Sequence, residues 1–246
     1  LDTDLERNAP DDRAITDRLY SGDRRHRLEQ ELVLGVGGAR AVAELGWTPG
    51  VHHLNEGHAG FLALELLDRE LTDGAPNIAA ALADIRPGVL FTTHTPVPAG
   101  IDRFDRDLIT PYLRPWSERW EVSVNEVLAL GEDPEDGADV FNMAGLCLHV
   151  AARANGVSQL HGEVSRELFA GVPGASEITS VTNGVHARTW VHPLLQDAFD
   201  ETLGAGWAEG DPEAWSWIDR LENDRLRSLR HEMRQPLTAL LADQLG

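Results

Sequence analysis

The sequence predicts a helix-rich α/β fold, and three observations carry the prediction. Two short apolar runs bounded by turn residues, Gly88 to Thr92 and Ile178 to Val181, have the length of buried strands. Around them, apolar residues recur every three or four positions over segments long enough for helices. Apolar residues make up 42% of the 246-residue chain and charged residues 25%, which suits a packed core with a solvated surface and excludes a disordered, collagenous or coiled-coil chain. Strands alternating with helices argue for parallel pairing, and the excess of helix argues for a helix-rich portion of a larger α/β enzyme. The length admits one large domain or two unequal ones.

Taken in order, residues 1 to 23 are polar and acidic, with the turn cluster Asn8-Ala9-Pro10-Asp11-Asp12, and read as a surface approach to the first helix. From Arg24 to Leu45 a helical stripe runs through Leu28, Leu32, Val36, Ala39 and Val42. Gly35, Gly37 and Gly38 interrupt it, each at a cost of about 1 kcal/mol relative to alanine. Close packing must justify them, or the segment is a strand over Leu32 to Leu34, a turn and a helix. Gly57 to Thr72 reads as a helix with Phe61, Leu64, Leu67 and Leu71 on one side and Asn55 placed to cap it. Asn77 to Ile85 is a short helix before the strand Gly88 to Thr92, and the prolines of Thr95 to Gly100 force a loop. Helices follow around Asp105 to Leu113 and Ser117 to Leu130. After the acidic turn Gly131 to Gly137, Val140 to Ala154 is expected to be helical and to stop at Asn155-Gly156. Val157 to Leu160 is a candidate short strand and Gly162 to Phe169 a helix. Beyond Trp190 helices are expected over Pro193 to Leu203, Pro212 to Ile218 and Ile218 to Leu245, with a break at Pro236. No internal repeat is present.

The formal charge of −20 argues against nucleic acid and anionic membrane as partners, because phosphate would be repelled. No stretch approaches the ~18 consecutive apolar residues of a membrane helix. The single cysteine, Cys147, makes no internal disulfide, and a reducing, cytoplasmic setting is the simplest reading. All 21 basic residues are arginine, so Schiff-base chemistry on a lysine cannot occur in this chain alone. The opening Leu1-Asp2-Thr3-Asp4 has neither a start Met nor a signal pattern and reads as an internal piece.

Four constellations could carry chemistry. Gly35-Val36-Gly37-Gly38-Ala39-Arg40 partly matches a dinucleotide loop, but Arg40 stands where Gly or Ala is needed and charged residues stand where a strand should precede. His52-His53-Leu54-Asn55-Glu56-Gly57-His58 invites a metal, yet its spacing is not that of a helical zinc site. Satisfaction by nearby backbone is the better reading for His52 and His53. Asn55, Glu56 and His58 could instead grip a polar neutral ligand from a helix start. Thr92-Thr93-His94-Thr95-Pro96 and Thr182-Asn183-Gly184 follow the two strands, where open parallel sheets collect ligands, and their hydroxyl, imidazole and carboxamide groups match sugar hydroxyls. A tight turn at Asn183-Gly184 and a packed His94 are the plain alternative. A nucleophile is poorly supported: there is no Gly-x-Ser-x-Gly elbow, and Cys147 falls on an apolar helix face.

The strings Leu1-Asp2-Thr3-Asp4, Leu19-Tyr20-Ser21-Gly22-Asp23, His53 to His58, Thr93-His94-Thr95, Phe141-Asn142-Met143-Ala144, Asn155 to Glu163 and Thr182-Asn183-Gly184-Val185 resemble, in the same order, the α-glucan phosphorylases of glycogen, starch and maltodextrin. The short Gly22-Asp23 turn resembles the compact bacterial form. The resemblance implies phosphorolysis of α-1,4-glucan or maltooligosaccharide at its non-reducing end by inorganic phosphate, giving glucose 1-phosphate. It implies pyridoxal phosphate, held on a lysine and acting through its phosphate, in a two-domain glycosyltransferase fold with parallel Rossmann-like sheets. Residues 1–180 would be the end of the N-terminal domain and 181–246 the helical start of the C-terminal one, without the cofactor lysine. By the same resemblance, His94 presents its backbone carbonyl to the transferred glucose and counts as catalytic. Asn183 binds sugar hydroxyls, Glu56 and His58 line the acceptor cleft, with Glu56 where animal enzymes have aspartate, and Asp23 matches a gate loop. Val157 lines the pocket, His161 and Glu163 form its wall, and Asn55 and Thr95 complete the sugar-binding set. No cofactor-binding residue and no metal ligand is assigned. A non-catalytic glucan-binding or remnant chain is the alternative function, and homo-oligomerisation is left open.

Overall fold

A computed structural model of the protein describes residues 1–19, 22–210 and 212–245. Tyr20 and Ser21, within the Leu19 to Asp23 string, lie outside the described residues. The chain divides into two compact units, residues 1–183 and 184–246.

The first unit is α/β. A single turn α1 (Pro10–Arg13) precedes α2 (Arg24–Leu32), which continues through a π-helical segment, Val33–Gly37, into α3 (Gly38–Glu44). The glycine-interrupted stripe is therefore one helical run with no strand, and no dinucleotide loop forms. The reason is packing: a Cβ on Gly35 would sit 2.6 Å from the backbone nitrogen of Leu62, so only glycine admits the crossing with the next helix.

Strand β1 (His52–Asn55) leads through a 3-10 turn, Gly57–Ala59, into α4 (Leu62–Thr72), and α5 (Ile78–Ile85) follows. The expected cap at Asn55 is not made, because Asn55 ends β1 and the helix starts at Leu62, with Phe61 at its N-cap and no side-chain cap. Asn77 does cap α5, accepting from the backbone N–H of Ala80 at 2.9 Å. Strand β2 (Val89–Thr93) is buried on both faces, as its unbroken apolar run demands. After β3 (Arg103–Asp105), α6 (Arg106–Arg119) carries Pro111 and Pro115 and runs unbroken through residues 114–116, the gap expected between two helices, and α7 (Val124–Leu128) is separate. Burial of Ile109, Leu113 and Trp116 on one side of α6 outweighs the hydrogen bonds that the prolines remove.

The run Val140 to Ala154, expected to be one helix, is instead β4 (Val140–Asn142), α8 (Met143–Val150) and the start of β5 (Arg153–Gly156). β4 pairs antiparallel with β3, and β5 pairs parallel with β2; these long-range partners override the local helical period. Asn155-Gly156 thus ends a strand and does not stop a helix. Val157 is loop, α9 (Gln159–Leu168) begins three residues before the expected Gly162, and β6 (Thr179–Ser180) closes the sheet. The four-stranded sheet has the order β1-β2-β5-β6, parallel throughout. α8 packs on β2, and α9 on β5 and β6. Phe61, Phe91, Phe104, Phe141, Phe169 and Leu64 are fully buried in one continuous core.

The second unit is helical: α10 (Ala187–Trp190), α11 (Pro193–Leu203), α12 (Pro212–Trp215) and α13 (Asn223–Leu245). Its small core is Phe199, Leu203, Trp207 and Ala214, with Phe199, Trp207 and Trp215 meeting edge to face at 5.2 to 6.3 Å. The expected break at Pro236 does not occur; α13 passes through it.

Candidate functional site

Parallel order places four strand ends side by side. In register, Asn55 lies opposite Thr92, Thr93 opposite Gly156, and Gly156 opposite Ser180. The residues that follow these ends, Glu56, His94, Val157 and Asn183, therefore run along the C-terminal edge of one sheet, the edge at which open α/β sheets bind ligands.

Three polar groups are built there. In the first, Asp23 caps α2, its Oδ1 accepting from the N–H of His26 at 3.0 Å, and that bond holds its carboxyl below the ordinary value. Asp23 lines an open cleft of about 620 Å³ together with Gly22, Arg24, Arg27, His58, Gly100 and Asp102. Within it, Arg27 Nη2 donates to Asp102 Oδ2 at 3.0 Å and lies 2.5 Å from His58 Nδ1, while Arg27 Nε pairs with Glu31 at 2.9 Å. His58 Nδ1 is 3.1 Å from Asp102 Oδ2. The Asp102 hydrogen bond, with help from Glu31, raises His58 to about 9. Burial raises Glu31 to about 7. Burial also pushes Asp102 upward, but the bonds from His58, Glu31 and Arg27 together hold it well below the carboxylate range. Glu31, His58 and Asp102 bring one ligand atom each within 4.8 Å of one another, the one group among the described residues with metal-ligand spacing. The guanidinium of Arg27 already bridges Glu31 and Asp102, so the positive charge these carboxylates call for is supplied by the protein.

The second group ties β1 to the loop after β2. Glu56 Oε2 accepts from the His94 N–H at 2.7 Å and from the Thr95 hydroxyl at 2.9 Å, and Oε1 lies 3.4 Å from the Thr93 hydroxyl. His94 and Asn55 are exposed. His53 is satisfied by a side chain, not by backbone as expected: the Thr92 hydroxyl donates to Asn155 Oδ1 at 2.9 Å and accepts from His53 Nε2 at 2.8 Å. For His52, burial lowers the pKa.

In the third group, the Asn183 N–H donates to the Val157 carbonyl at 3.1 Å, and the Val157 N–H donates to His161 Nδ1 at 3.1 Å. That bond makes Nδ1 of the buried His161 ring an acceptor and leaves a ring proton on Nε2. The Asn183 side chain is exposed beside half-buried Val157, and Glu163 is exposed on α9. Cys147 is fully buried on α8, with its thiol pushed well up by that burial.

Arg27, Glu31 and Asp102 are the residues that sequence reasoning missed. The first two stand four apart on a helix, a spacing that signals an ion pair. Asp102 carries no local signal, because its partners come from distant segments.

No protein-family profile matches the chain. Against curated proteins it is 41% identical over 255 residues to the glycogen phosphorylase of Mycobacterium tuberculosis, covering 96% of this chain and 29% of that protein. It is 37% identical over 233 residues to the maltodextrin phosphorylase of Thermococcus litoralis, covering 92% of this chain and 27% of the relative. The glycogen phosphorylase of Aquifex aeolicus is 35% identical over 230 residues, 92% of this chain and 33% of its own length. The chain thus spans about a third or less of the length of these relatives. Over nearly all of its own length, it is homologous to the α-glucan phosphorylase family.

Proposed function

We propose that this chain is the glucan-binding part of an α-glucan phosphorylase, with residues 1–180 ending the N-terminal domain and 181–246 beginning the C-terminal one. In this reading the complete protein uses inorganic phosphate to release glucose 1-phosphate from α-1,4-glucan in the cytoplasm. The observation that carries the reading is the alignment of Asn55, His94, Val157 and Asn183 along one sheet edge in a chain homologous to phosphorylases.

The chemistry of that edge is that of sugar recognition. Exposed carboxamides on Asn55 and Asn183 offer a donor and an acceptor each, which suits vicinal hydroxyls. The transferred glucose lies against the backbone carbonyl of His94 and the carboxamide of Asn183, with Val157 and His161 behind it. Asp23 and His58 face the acceptor end of the glucan, and Glu56 and Thr95 support His94. A His58 charged at neutral pH offers that end a strong donor.

Pyridoxal phosphate does not fit the residues present, since no lysine amine exists in the chain to hold its aldehyde. The contribution of this chain is to bind and orient sugar. The reading is tested in the complete protein by measuring glucose 1-phosphate formation from maltoheptaose and phosphate. Asn183→Ala should lower turnover roughly 10- to 100-fold by removing contacts that strengthen in the transition state, whereas His94→Ala, which keeps the backbone carbonyl, should cost less. Unchanged kinetics in Asn183→Ala would sink the assignment. A wild-type protein that binds maltoheptaose but forms no glucose 1-phosphate would favour a non-catalytic glucan-binding chain.

A further inference from the structure

Glu56 has a backbone conformation that its residue type does not favour. Its φ is +64° and its ψ 178°, a region that glycine occupies freely and side-chain-bearing residues enter only when their surroundings force them. The surroundings here do so from both sides. Upstream, the Glu56 N–H donates to the Thr92 carbonyl at 2.8 Å, extending the β1–β2 ladder by one rung. Downstream, Gly57 is buried so tightly that a Cβ there would lie 3.0 Å from Met143. The chain cannot relax by shifting either neighbour. What the strained geometry achieves is the aim of the carboxylate, which receives the backbone N–H of His94, the hydroxyl of Thr95 and, at longer range, the hydroxyl of Thr93.

We propose that Glu56 is a positioning residue for His94: its carboxylate, aimed by a strained backbone, fixes the path of the loop after β2 and with it the backbone carbonyl of His94. The proposal rests on the reading above in which that carbonyl meets the transferred sugar. It assigns Glu56 a role through His94, distinct from direct contact with the glucan. Three features of the site converge on it. The loop from Thr95 to Gly100 contains two prolines and only one short 3-10 turn, so it has few backbone bonds of its own to hold it. His94 is exposed and gains no fixation from burial. Two of the three donors converge on a single oxygen, Oε2, which ties adjacent residues to one point.

The discriminating variant is Glu56→Gly, which removes the carboxylate and the strain together, with Glu56→Gln as the isosteric control that keeps the strain and loses the charge. Hydrogen exchange at the His94 amide and the thermal midpoint are read in the 246-residue chain, and kcat and KM for maltoheptaose in the complete protein. In Glu56→Gly the midpoint should be kept or raised, while His94 exchange quickens about tenfold or more. Turnover should fall on the order of 100-fold with KM changed less than about twofold, the mark of lost alignment and not of lost binding. Glu56→Gln should fall between Glu56→Gly and wild type in both exchange and turnover. Wild-type exchange and turnover in Glu56→Gly would overturn the proposal, as would a raised KM at unchanged kcat, which would mean that Glu56 touches the glucan itself. A loss of turnover that tracks a loss of thermal midpoint would reduce Glu56 to a structural residue. If the wild-type protein forms no glucose 1-phosphate, the phosphorylase reading falls by that result alone, and the exchange arm still decides whether Glu56 holds the loop.

Discussion

His58 owes its charge to carboxylates drawn from two other segments, Asp102 before β3 and Glu31 on α2, which together outweigh the opposing charge of Arg27. Glu31 and His58 both bind their proton more tightly in the folded chain than in the unfolded one. Their contributions to stability are complete below the ordinary values of 4.5 and 6.5, and are lost as pH rises through about 7 and about 9. Asp102 acts in the opposite sense, stabilising above its ordinary 3.8 and losing that effect in acid. The unfolding midpoint of the chain should therefore decline between about pH 5 and about pH 9 through these groups. Glu31→Gln should flatten the limb that ends near pH 7 and leave the later His58 limb. A midpoint curve parallel to wild type across that window would show that Glu31 titrates as an ordinary carboxylate. Sequence reading identified His58 but not the reason for its charge, since Asp102 reaches it only through the fold.

At the scale of elements, the crossing of the α2–α3 helical run over α4 depends on one missing methyl group. Gly35→Ala would drive its Cβ to 2.6 Å from a backbone nitrogen and 2.9 Å from the Phe61 Cβ, neither of which can swing away. The expected cost is about 1–3 kcal/mol in denaturant unfolding, whereas Gly38→Ala, with nothing within 4 Å, should be neutral or stabilising. Equal effects at the two positions would argue that the crossing is loose. The apolar stripe made this run legible as helix, and the glycines made close packing one of two readings. The Val140 to Ala154 run was misread for a related reason. Its apolar spacing fits a helix, but Phe141 pairs with Phe104 and Ala154 with Phe91, partners that no local window contains. Pro236 was misread in the other direction, since α13 continues through it.

The chain has one large core and one small one. The first unit buries five phenylalanines in one cluster, while the second relies on Phe199, Leu203, Trp207 and Ala214. A unit of that size buries a smaller share of its surface and is correspondingly marginal. Phe199→Ala should cost the second unit about 3–5 kcal/mol and unfold it at a denaturant concentration where the first unit keeps its far-UV signal. Trp207, whose indole N–H donates to Asp200 at 2.8 Å, lies in that unit, so its loss should appear in tryptophan fluorescence before the main transition. A single coincident transition in the variant would show that the two units unfold together.

By itself the sequence determined the helix-rich α/β class, the helices with strong stripes and turns, and the polar strings that resemble phosphorylases, because these rest on local spacing and residue type. It also determined that no lysine chemistry belongs to this chain. The tertiary structure decided the rest. Parallel pairing in the order β1-β2-β5-β6 joined strings far apart in the chain along one edge and gave Glu56 its strained grip on the His94 loop, and long-range packing brought Asp102 to Arg27 and His58. Those outcomes depend on which distant segments share hydrogen bonds and burial, and no window of sequence records that choice.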